Sequence, residues 1–337
     1  MLNVLLISPT QSGIGGIAQH IQGLSKFLTQ HGHKTEIISS ENTFTLPIKK
    51  LKNPTFALSA SLKSAFKKYD IVHAHNLLSA IPMKRVKAKK VLTLHGSYAE
   101  QIELLYGDTM GEISKSFEKK ALCWADAITA VSKSAVDYYK KLGFNVHHIP
   151  NAIDLDQIPH SGKRLYTKQV IFVGRLSKEK GVDILIDAFN MLRSDIHLLV
   201  IGDGPEKKNL EKQSQNKNVH FLGQVDHTKS LEYICASDIL LQPSRKEGLS
   251  TTMLEAMACK IPIIATNVGG NADLIDNMKN GILVESENPK QMIDSIEKMS
   301  NDDNLKTELI ENAYRKIINE YDWNKVVKSY INLYQKL

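Results

Sequence analysis

Short apolar runs alternate along the whole chain with longer stretches in which hydrophobic residues recur every three to four positions. In the first half the runs predict strands over Val4–Ser8, Thr35–Ser39, Asp70–Ala74, Lys90–Leu94, Ala127–Val131 and Val146–Ile149. In the second half they predict strands over Gln169–Val173, His197–Ile201, Val219–Leu222, Asp238–Leu241, Ile261–Ala265 and Gly281–Val284. The 3.6-residue patterns between them predict helices, among them Ile17–Gln30, Val182–Arg193, Thr251–Cys259 and Lys290–Ser300. Strands that are apolar throughout, each followed by a helix, imply parallel sheets covered on both faces. Two such series in 337 residues imply an α/β protein of two doubly wound, Rossmann-like domains. Periodicity lapses at Asp154–Thr167, where Pro159, Ser161 and Gly162 appear, so the expected domains are 1–155 and 156–321. The last stretch, 322–337, sets Trp323, Val326, Val327, Tyr330, Ile331 and Tyr334 on one helix face, which suits packing back on the first domain.

Ligands of open parallel sheets bind beyond the carboxyl ends of the strands, so the loops there carry the chemistry. Pro243–Ala258 follows a strand and runs into a helix that Ser250 or Thr251 can cap. Its first turn offers unpaired N–H groups and the positive end of a dipole, a setting for phosphate. Glu247 stays in the loop, and Glu255 lies about 7 Å along the helix at ~1.5 Å per residue. Two acids flanking an anion site match the layout of a nucleoside diphosphate sugar. Arg175 and Lys180, in Gly174-Arg175-Leu176-Ser177-Lys178-Glu179-Lys180-Gly181, can neutralise charge developing on a leaving diphosphate. The loop Gly202-Asp203-Gly204-Pro205 lets a nucleoside approach the backbone.

Together these residues resemble family 4 of the retaining GT-B glycosyltransferases, also called glycosyl transferases group 1. The similarity lies in Glu247-x(7)-Glu255 with Gly248, Leu249 and Ser250 between, in Gly174-Arg175 with Lys180-Gly181, and in Gly202-Asp203-Gly204-Pro205. It also lies in Pro150-Asn151-Ala152-Ile153-Asp154, with Ala152 where glycine is usual. The resemblance implies two domains facing across a cleft, with the acceptor on the first and the donor on the second. It implies that Arg175 and Lys180 hold the diphosphate, Glu247 the transferred sugar and Glu255 the ribose. The backbone near Gly223–Val225 would lie beside the base, and Gly248, Leu249 and Ser250 would offer main-chain contacts. His95, in Thr93-Leu94-His95, would meet the sugar or acceptor, and Ser132 matches a serine common at its place. A front-face route, in which the leaving phosphate takes the acceptor's proton, is the mechanism the resemblance implies.

After the first strand, Gly13-x-Gly15-x-x-Ala18 satisfies a loose dinucleotide fingerprint, but the acid expected about 20 residues on is poorly matched by Glu36 or Glu41. The preferred reading is the one the family resemblance implies, a loop whose Gly15-Gly16 pair approaches the donor diphosphate or the acceptor. His73, His75 and His95 fall at one sheet edge, as core histidines or as a three-histidine metal site; no carboxylate or cysteine accompanies them. No Asp-x-Asp motif follows a strand, so no metal and no cofactor is expected, the UDP- or GDP-linked sugar being a substrate. The alternatives are a GT-B nucleotide-sugar epimerase, an NAD-dependent oxidoreductase using the Gly13/Gly15 loop, a non-catalytic binding protein and, with Glu247 and Glu255 as its acid pair, a glycoside hydrolase.

Composition narrows the setting. With 42% hydrophobic and 23% charged residues the chain reads as globular, and no apolar run nears the ~20 residues of a membrane-spanning helix. Leu2–Ile7 lacks a basic leader and a cleavage site, so it reads as a strand. Three cysteines, Cys123, Cys235 and Cys259, are too few and too scattered for a disulfide framework or zinc site, and a cytoplasmic location is expected. The net charge of +7 is uneven: residues 49–90 hold eleven basic side chains and one acid, Asp70. Within it Phe56, Leu58, Leu62, Phe66 and Tyr69 are interleaved with Lys63, Lys67 and Lys68. That is either a core helix with a solvated cationic face, or a surface for peripheral docking on an anionic membrane or a lipid-linked acceptor. A saccharide or lipid-linked acceptor is expected, and no nucleic acid.

Overall fold

The computed structural model describes residues 1–11, 16–46, 48, 52–65, 67–96 and 108–337. The chain forms two compact units, one of Met1–Ala152 with Trp323–Leu337, the other of Ile153–Asp322. All twelve strands read from the sequence are present, with ends shifted by two residues or fewer. In the first unit they are β1 (Asn3–Ile7), β2 (Lys34–Ile38), β3 (Ile71–His75), β4 (Lys89–Leu94), β5 (Ala127–Ala130) and β6 (Val146–His148). In the second they are β7 (Gln169–Val173), β8 (His197–Ile201), β9 (Val219–Gly223), β10 (Ile239–Gln242), β11 (Ile263–Thr266) and β12 (Ile282–Val284). The four helices singled out in the sequence run Gly16–Gln30, Val182–Met191, Thr251–Ala258 and Pro289–Asn301.

Each set makes one wholly parallel sheet, ordered β2-β1-β3-β4-β5-β6 and β12-β11-β10-β7-β8-β9. Strands buried along their full length, such as β3 and β7, explain the unbroken apolar runs, because helices cover both faces. In the second unit one such layer joins Phe172, Val200 and Leu241 of the sheet to Leu185, Phe189, Met292 and Ile296 of the helices. In the first, the helix Trp323–Gln335 lays Trp323, Val326, Val327, Tyr330 and Tyr334 against Val4, Leu6, Ile21 and Leu24. A Cβ on Gly23 would overlap the Trp323 indole, so the Gly16–Gln30 helix needs a glycine there for that helix to close on it.

The strand order reverses between β1 and β3 in one sheet and between β7 and β10 in the other. Those are the crevices where an open parallel sheet takes a ligand. The two loops richest in candidate residues follow β7 and β10 and so flank the second crevice.

The spacing of the cysteines had given no sign of pairing, yet Cys235 and Cys259 form a disulfide. Cys235 ends the helix His227–Cys235 and Cys259 caps Thr251–Ala258, and these neighbouring helices bring the two Cα atoms to 5.0 Å. Cys123 is a free, exposed thiol.

Candidate active site

In the second unit the loop after β10 is built around Glu247. Its Oε2 accepts from Lys180 Nζ at 2.6 Å, Gln242 Nε2 at 3.0 Å and Ser244 Oγ at 3.1 Å. Gln242 and Ser244 are themselves buried and bonded to each other at 2.8 Å. The carboxylate is therefore held by one oxygen, and Oε1 has no partner among the described residues. Ser250 caps the helix Thr251–Ala258, its side chain accepting from Met253 N–H, which resolves the choice between Ser250 and Thr251. Gly248, Leu249 and Ser250 are buried at that helix start.

The loop after β7 lies against it. Lys178–Lys180 make one 3-10 turn that ends on Gly181 at φ +64°, and Arg245 N–H and Lys246 N–H both donate to Glu179 O. Lys180 is thereby aimed at Glu247, whereas Arg175 is exposed and makes no ion pair among the described residues. Gly174 and Gly202 touch through their backbones: a Cβ on Gly202, which sits at φ +138°, would overlap the Gly174 carbonyl. Gly204 sits likewise against Leu176 O, so the loops after β7 and β8 form one thin wall.

Glu255 is buried on the helix Thr251–Ala258, and its Oε1 meets His227 Nε2 at 2.7 Å. That hydrogen bond outweighs burial and raises the His227 pKa. His227 opens the helix after Val225, so the stretch assigned to the base and the acid assigned to the ribose are joined by this imidazole.

Sequence reasoning missed several supports of these residues. Arg245 makes a bidentate pair with Asp183, 2.7 Å on each arm, bonds Glu287 at 2.5 and 3.0 Å, and donates to Lys178 O at 2.9 Å. The hydrogen bonds to Asp183 and then Glu287 raise its pKa. Gly270 was also missed: its N–H donates to Glu247 O, and a Cβ there would overlap Gly248 O. The pair Gly269-Gly270 after a strand was the available signal; for His227, Asp183 and Arg245 nothing in the local sequence marked them.

In the first unit His95 lies just past β4, half-buried, with Nε2 3.4 Å from His75 Nδ1. His20, His73 and His75 are fully buried beside it, their rings 4.1 to 5.7 Å apart centre to centre where they adjoin. Burial above all, and then the neighbouring imidazoles, push the group toward the neutral form: His95 to about 4, His73 to about 3, His20 and His75 well below the ordinary value. Both nitrogens of His73 are engaged, one with Tyr334 Oη and one with Thr93 Oγ1, each at 2.6 Å. Among the described residues no group of three histidines, cysteines or acids is arranged to hold a metal ion. Ser132 caps the helix Lys133–Lys141. Gly16 begins the helix after β1; Gly13 and Gly15 lie outside the described residues, as do Lys49, Lys50 and Phe66 of the basic stretch.

Two parallel doubly wound sheets, with phosphate-type loops at a switch point of the second, define the GT-B class of glycosyltransferase. Comparison with known proteins agrees. The family model for glycosyl transferases group 1 matches residues 156–316, and that for glycosyltransferase family 4 matches residues 14–157. An uncharacterized glycosyltransferase of Methanocaldococcus jannaschii is 30% identical over 280 residues, 75% of this chain and 70% of the relative. Among solved structures, sucrose-phosphate synthase from Thermosynechococcus elongatus has a TM-score of 0.87 at 19% identity, covering 100% of this chain and 99% of that one. Anabaena HepE, solved in complex with UDP and glucose, has a TM-score of 0.80 at 18% identity, with both chains covered in full. The chain belongs to the group 1, family 4 glycosyltransferases, and it is a transferase enzyme.

Proposed function

We propose that the protein is a retaining, metal-independent hexosyltransferase. It takes a hexose-type sugar from a UDP- or GDP-linked donor and places it on a hydroxyl of a saccharide or lipid-linked acceptor. The observation that carries this reading is the Lys180–Glu247 pair at 2.6 Å beside the capped start of the helix Thr251–Ala258. It puts a cation, a carboxylate oxygen and unpaired N–H groups at one switch point, the needs of a diphosphate with hydroxyls at its end. As the bond between the anomeric carbon and the diphosphate oxygen breaks, negative charge grows on the diphosphate. Arg175, Lys180 and the helix start stabilise it in place of a divalent ion. Glu247 Oε1 accepts from sugar hydroxyls, Glu255 from the ribose, and the backbone of Gly223–Val225 borders the base. Gly174, Gly202, Gly204, Gly248, Leu249 and Ser250 form the walls. In the first unit His95 contacts the sugar or acceptor, and Gly16 begins the helix after the glycine loop. The acceptor's proton passes to the leaving phosphate in the front-face route. The HepE complex with UDP and glucose supports uracil as the base to try first.

The test is titration with UDP, GDP, ADP and NAD in EDTA, followed by NMR of the product anomer. Micromolar binding of one nucleoside diphosphate, weakened by Lys180→Ala, and an axial-for-axial product support the reading. Binding of NAD alone, dependence on a divalent ion, or turnover of the donor to an epimer with no acceptor would overturn it.

A second observation concerns the acceptor. Phe44, Ile48, Leu58 and Leu62 are all more than half exposed, and Lys63, whose Nζ reaches Asn42 O at 2.8 Å, ties the helix Lys52–Ala65 to the segment before it. Apolar side chains among lysines fit an anionic bilayer. This surface is assigned to peripheral docking on the cytoplasmic membrane face, where a lipid-linked acceptor would lie. Co-sedimentation with phosphatidylglycerol vesicles, absent with phosphatidylcholine alone and lost in Leu58→Ser/Leu62→Ser, supports it; binding without dependence on anionic lipid removes it.

A further inference from the structure

We propose that His75 is a positioning residue that fixes the proton of His95 on Nδ1, so that His95 presents an N–H donor and not a base to a bound ligand. That the ligand is the transferred sugar or the acceptor rests on the function proposed above; the protonation itself does not.

β3 and β4 are parallel neighbours with His75 paired to Thr93, and this brings the end of one strand beside His95, two residues past that pairing on the other. His75 is fully buried, and its two nitrogens have different surroundings. Nδ1 faces His95 Nε2 at 3.4 Å, whereas Nε2 is sealed from solvent without any hydrogen-bond partner. Burial keeps both rings neutral near pH 7, so each carries a single N–H.

Two arrangements are open to His75. With the proton on Nε2 it would bury an N–H donor that meets nothing. With the proton on Nδ1 it leaves only a lone pair unmet, and that N–H has an acceptor in His95. Orphaned buried donors are the rarer and costlier kind, so the second arrangement wins. His95 Nε2 then accepts, and its own proton has to sit on Nδ1, since the hydrogen bond at one ring nitrogen sets the state of the other. His95 Nδ1 has no partner among the described residues and His95 is only half-buried, so this N–H is available to a ligand. An imidazole in that state can donate to a sugar or acceptor oxygen but has no free lone pair with which to take a hydroxyl proton. The proton released in glycosyl transfer must therefore leave by another acceptor.

The tautomer can be read without any substrate. In protein labelled with ¹⁵N-histidine, long-range ¹H–¹⁵N spectra distinguish a protonated Nδ1 from a protonated Nε2. His95→Gln identifies the His95 signals by their loss. The expected result is a neutral His95 protonated on Nδ1 in the wild type, shifting toward the Nε2–H form in His75→Phe, which keeps a ring in the stack and removes the donor. His95 protonated on Nε2 in the wild type, or unmoved in a folded His75→Phe, overturns the proposal. Should His75→Phe fail to fold, the wild-type spectrum still decides. In transfer assays His75→Phe is expected to lower kcat about tenfold with donor KM little changed, short of the ~100-fold typical for removing a donor outright. An inactive wild type with the Nδ1–H spectrum would defeat the proposed function and leave this assignment standing.

Discussion

Lys180 Nζ and Glu247 Oε2 lie 2.6 Å apart although 67 positions separate them in the chain. Parallel pairing of β7 with β10 makes them neighbours, since each residue sits in the loop that leaves one of these strands. Gln242 and Ser244 hold the same oxygen from behind, so the carboxylate cannot turn away when the cation is drawn to a ligand.

The first prediction concerns that pair. Lys180→Ala is expected to reduce transfer by about 100- to 1000-fold, the usual loss when one preorganised charge-stabilising donor is removed. Glu247→Gln keeps the size and loses the charge, and is expected to lower kcat more than it raises donor KM. Melting temperature is expected to fall as well, because the side chains are only 22% and 10% exposed and removing one leaves a largely buried group without its pair, so the rate is compared per folded molecule. Initial rates and thermal melts of the two variants check this. A variant that melts early but retains wild-type rate per folded molecule would make the pair structural.

Arg245 supports the second. It is the hub between the turn that carries Lys180 and the acids Asp183 and Glu287. Burial alone pushes the Asp183 carboxyl up, but the Arg245 guanidinium overrides it and holds the group below the usual aspartate range. A depressed carboxyl contributes stability that is present above its unfolded pKa and lost as pH falls through its folded one. Arg245→Ala should therefore cost about 1 kcal/mol at pH 7, the upper end for pairs whose acids, 42% and 58% exposed, are screened by solvent, with less cost in strong acid. It should also raise donor KM by freeing the Lys178–Lys180 turn. Arg245→Lys is expected to restore little, because an ammonium cannot bridge two carboxylates and a carbonyl as the planar fork does. Denaturant melts at pH 7 and pH 3 with donor kinetics provide the check; full rescue by lysine would contradict it.

What could be read beforehand follows from these two cases. The twelve strands were legible because parallel strands buried on both faces are apolar from end to end, as in Val170–Val173. Motif residues were legible because they follow strands: Glu247, Ser250 and Gly202 announce themselves by position. Arg245, Asp183 and His227 were not, since each acts through a partner at least 28 positions away that only the folded topology supplies. The disulfide escaped for the same reason, and so did His20 as a fourth ring beside His73, His75 and His95: it lies on a helix, far from the strand ends where the others were found. Residues of the same chemical type become a site or a filler according to contacts that have no local signature.

The third prediction is a pH dependence of donor binding. The hydrogen bond that His227 donates to Glu255 raises the His227 pKa above its usual 6.5, so His227 keeps its charge to a higher pH than an ordinary histidine. Its contribution to stability is fully present below the unfolded value and is lost as pH rises through the raised one. One positive charge beside an anionic nucleotide is lost in the same window. UDP affinity should fall by roughly threefold to tenfold above neutrality at low salt, as expected for one screened charge near the ligand. His227→Gln should bind UDP with a flat profile over that range. Titrations from pH 6 to pH 9 separate the two; an equally sloping His227→Gln would place the titrating group elsewhere.

The histidine cluster of the first unit makes the fourth prediction, and its sign is opposite. His20, His73, His75 and His95 are neutral in the fold and take up protons readily only when unfolded, at about 6.5. Their lowered values mean that stability is full above that pH and is lost as pH falls toward the folded values, about 4 for His95 and about 3 for His73. Each ring contributes up to ~1.4 kcal/mol per pH unit in that window, and four together up to about 5.5. A domain stabilised by only about 5–15 kcal/mol cannot absorb that for long. The unit of Met1–Ala152 with Trp323–Leu337 should therefore unfold between pH 6 and pH 4. The unit Ile153–Asp322 has no fully buried histidine; burial lowers His220 there as well, but His227 works in the other direction, so this unit should outlast the first. Calorimetry from pH 7 to pH 4 is expected to resolve two transitions that draw apart as acid is added. His75→Phe, one ring fewer, should lessen the slope of the first by about a quarter. Two transitions that stay together, or a slope indifferent to the loss of His75, would mean that these rings are already protonated in the fold.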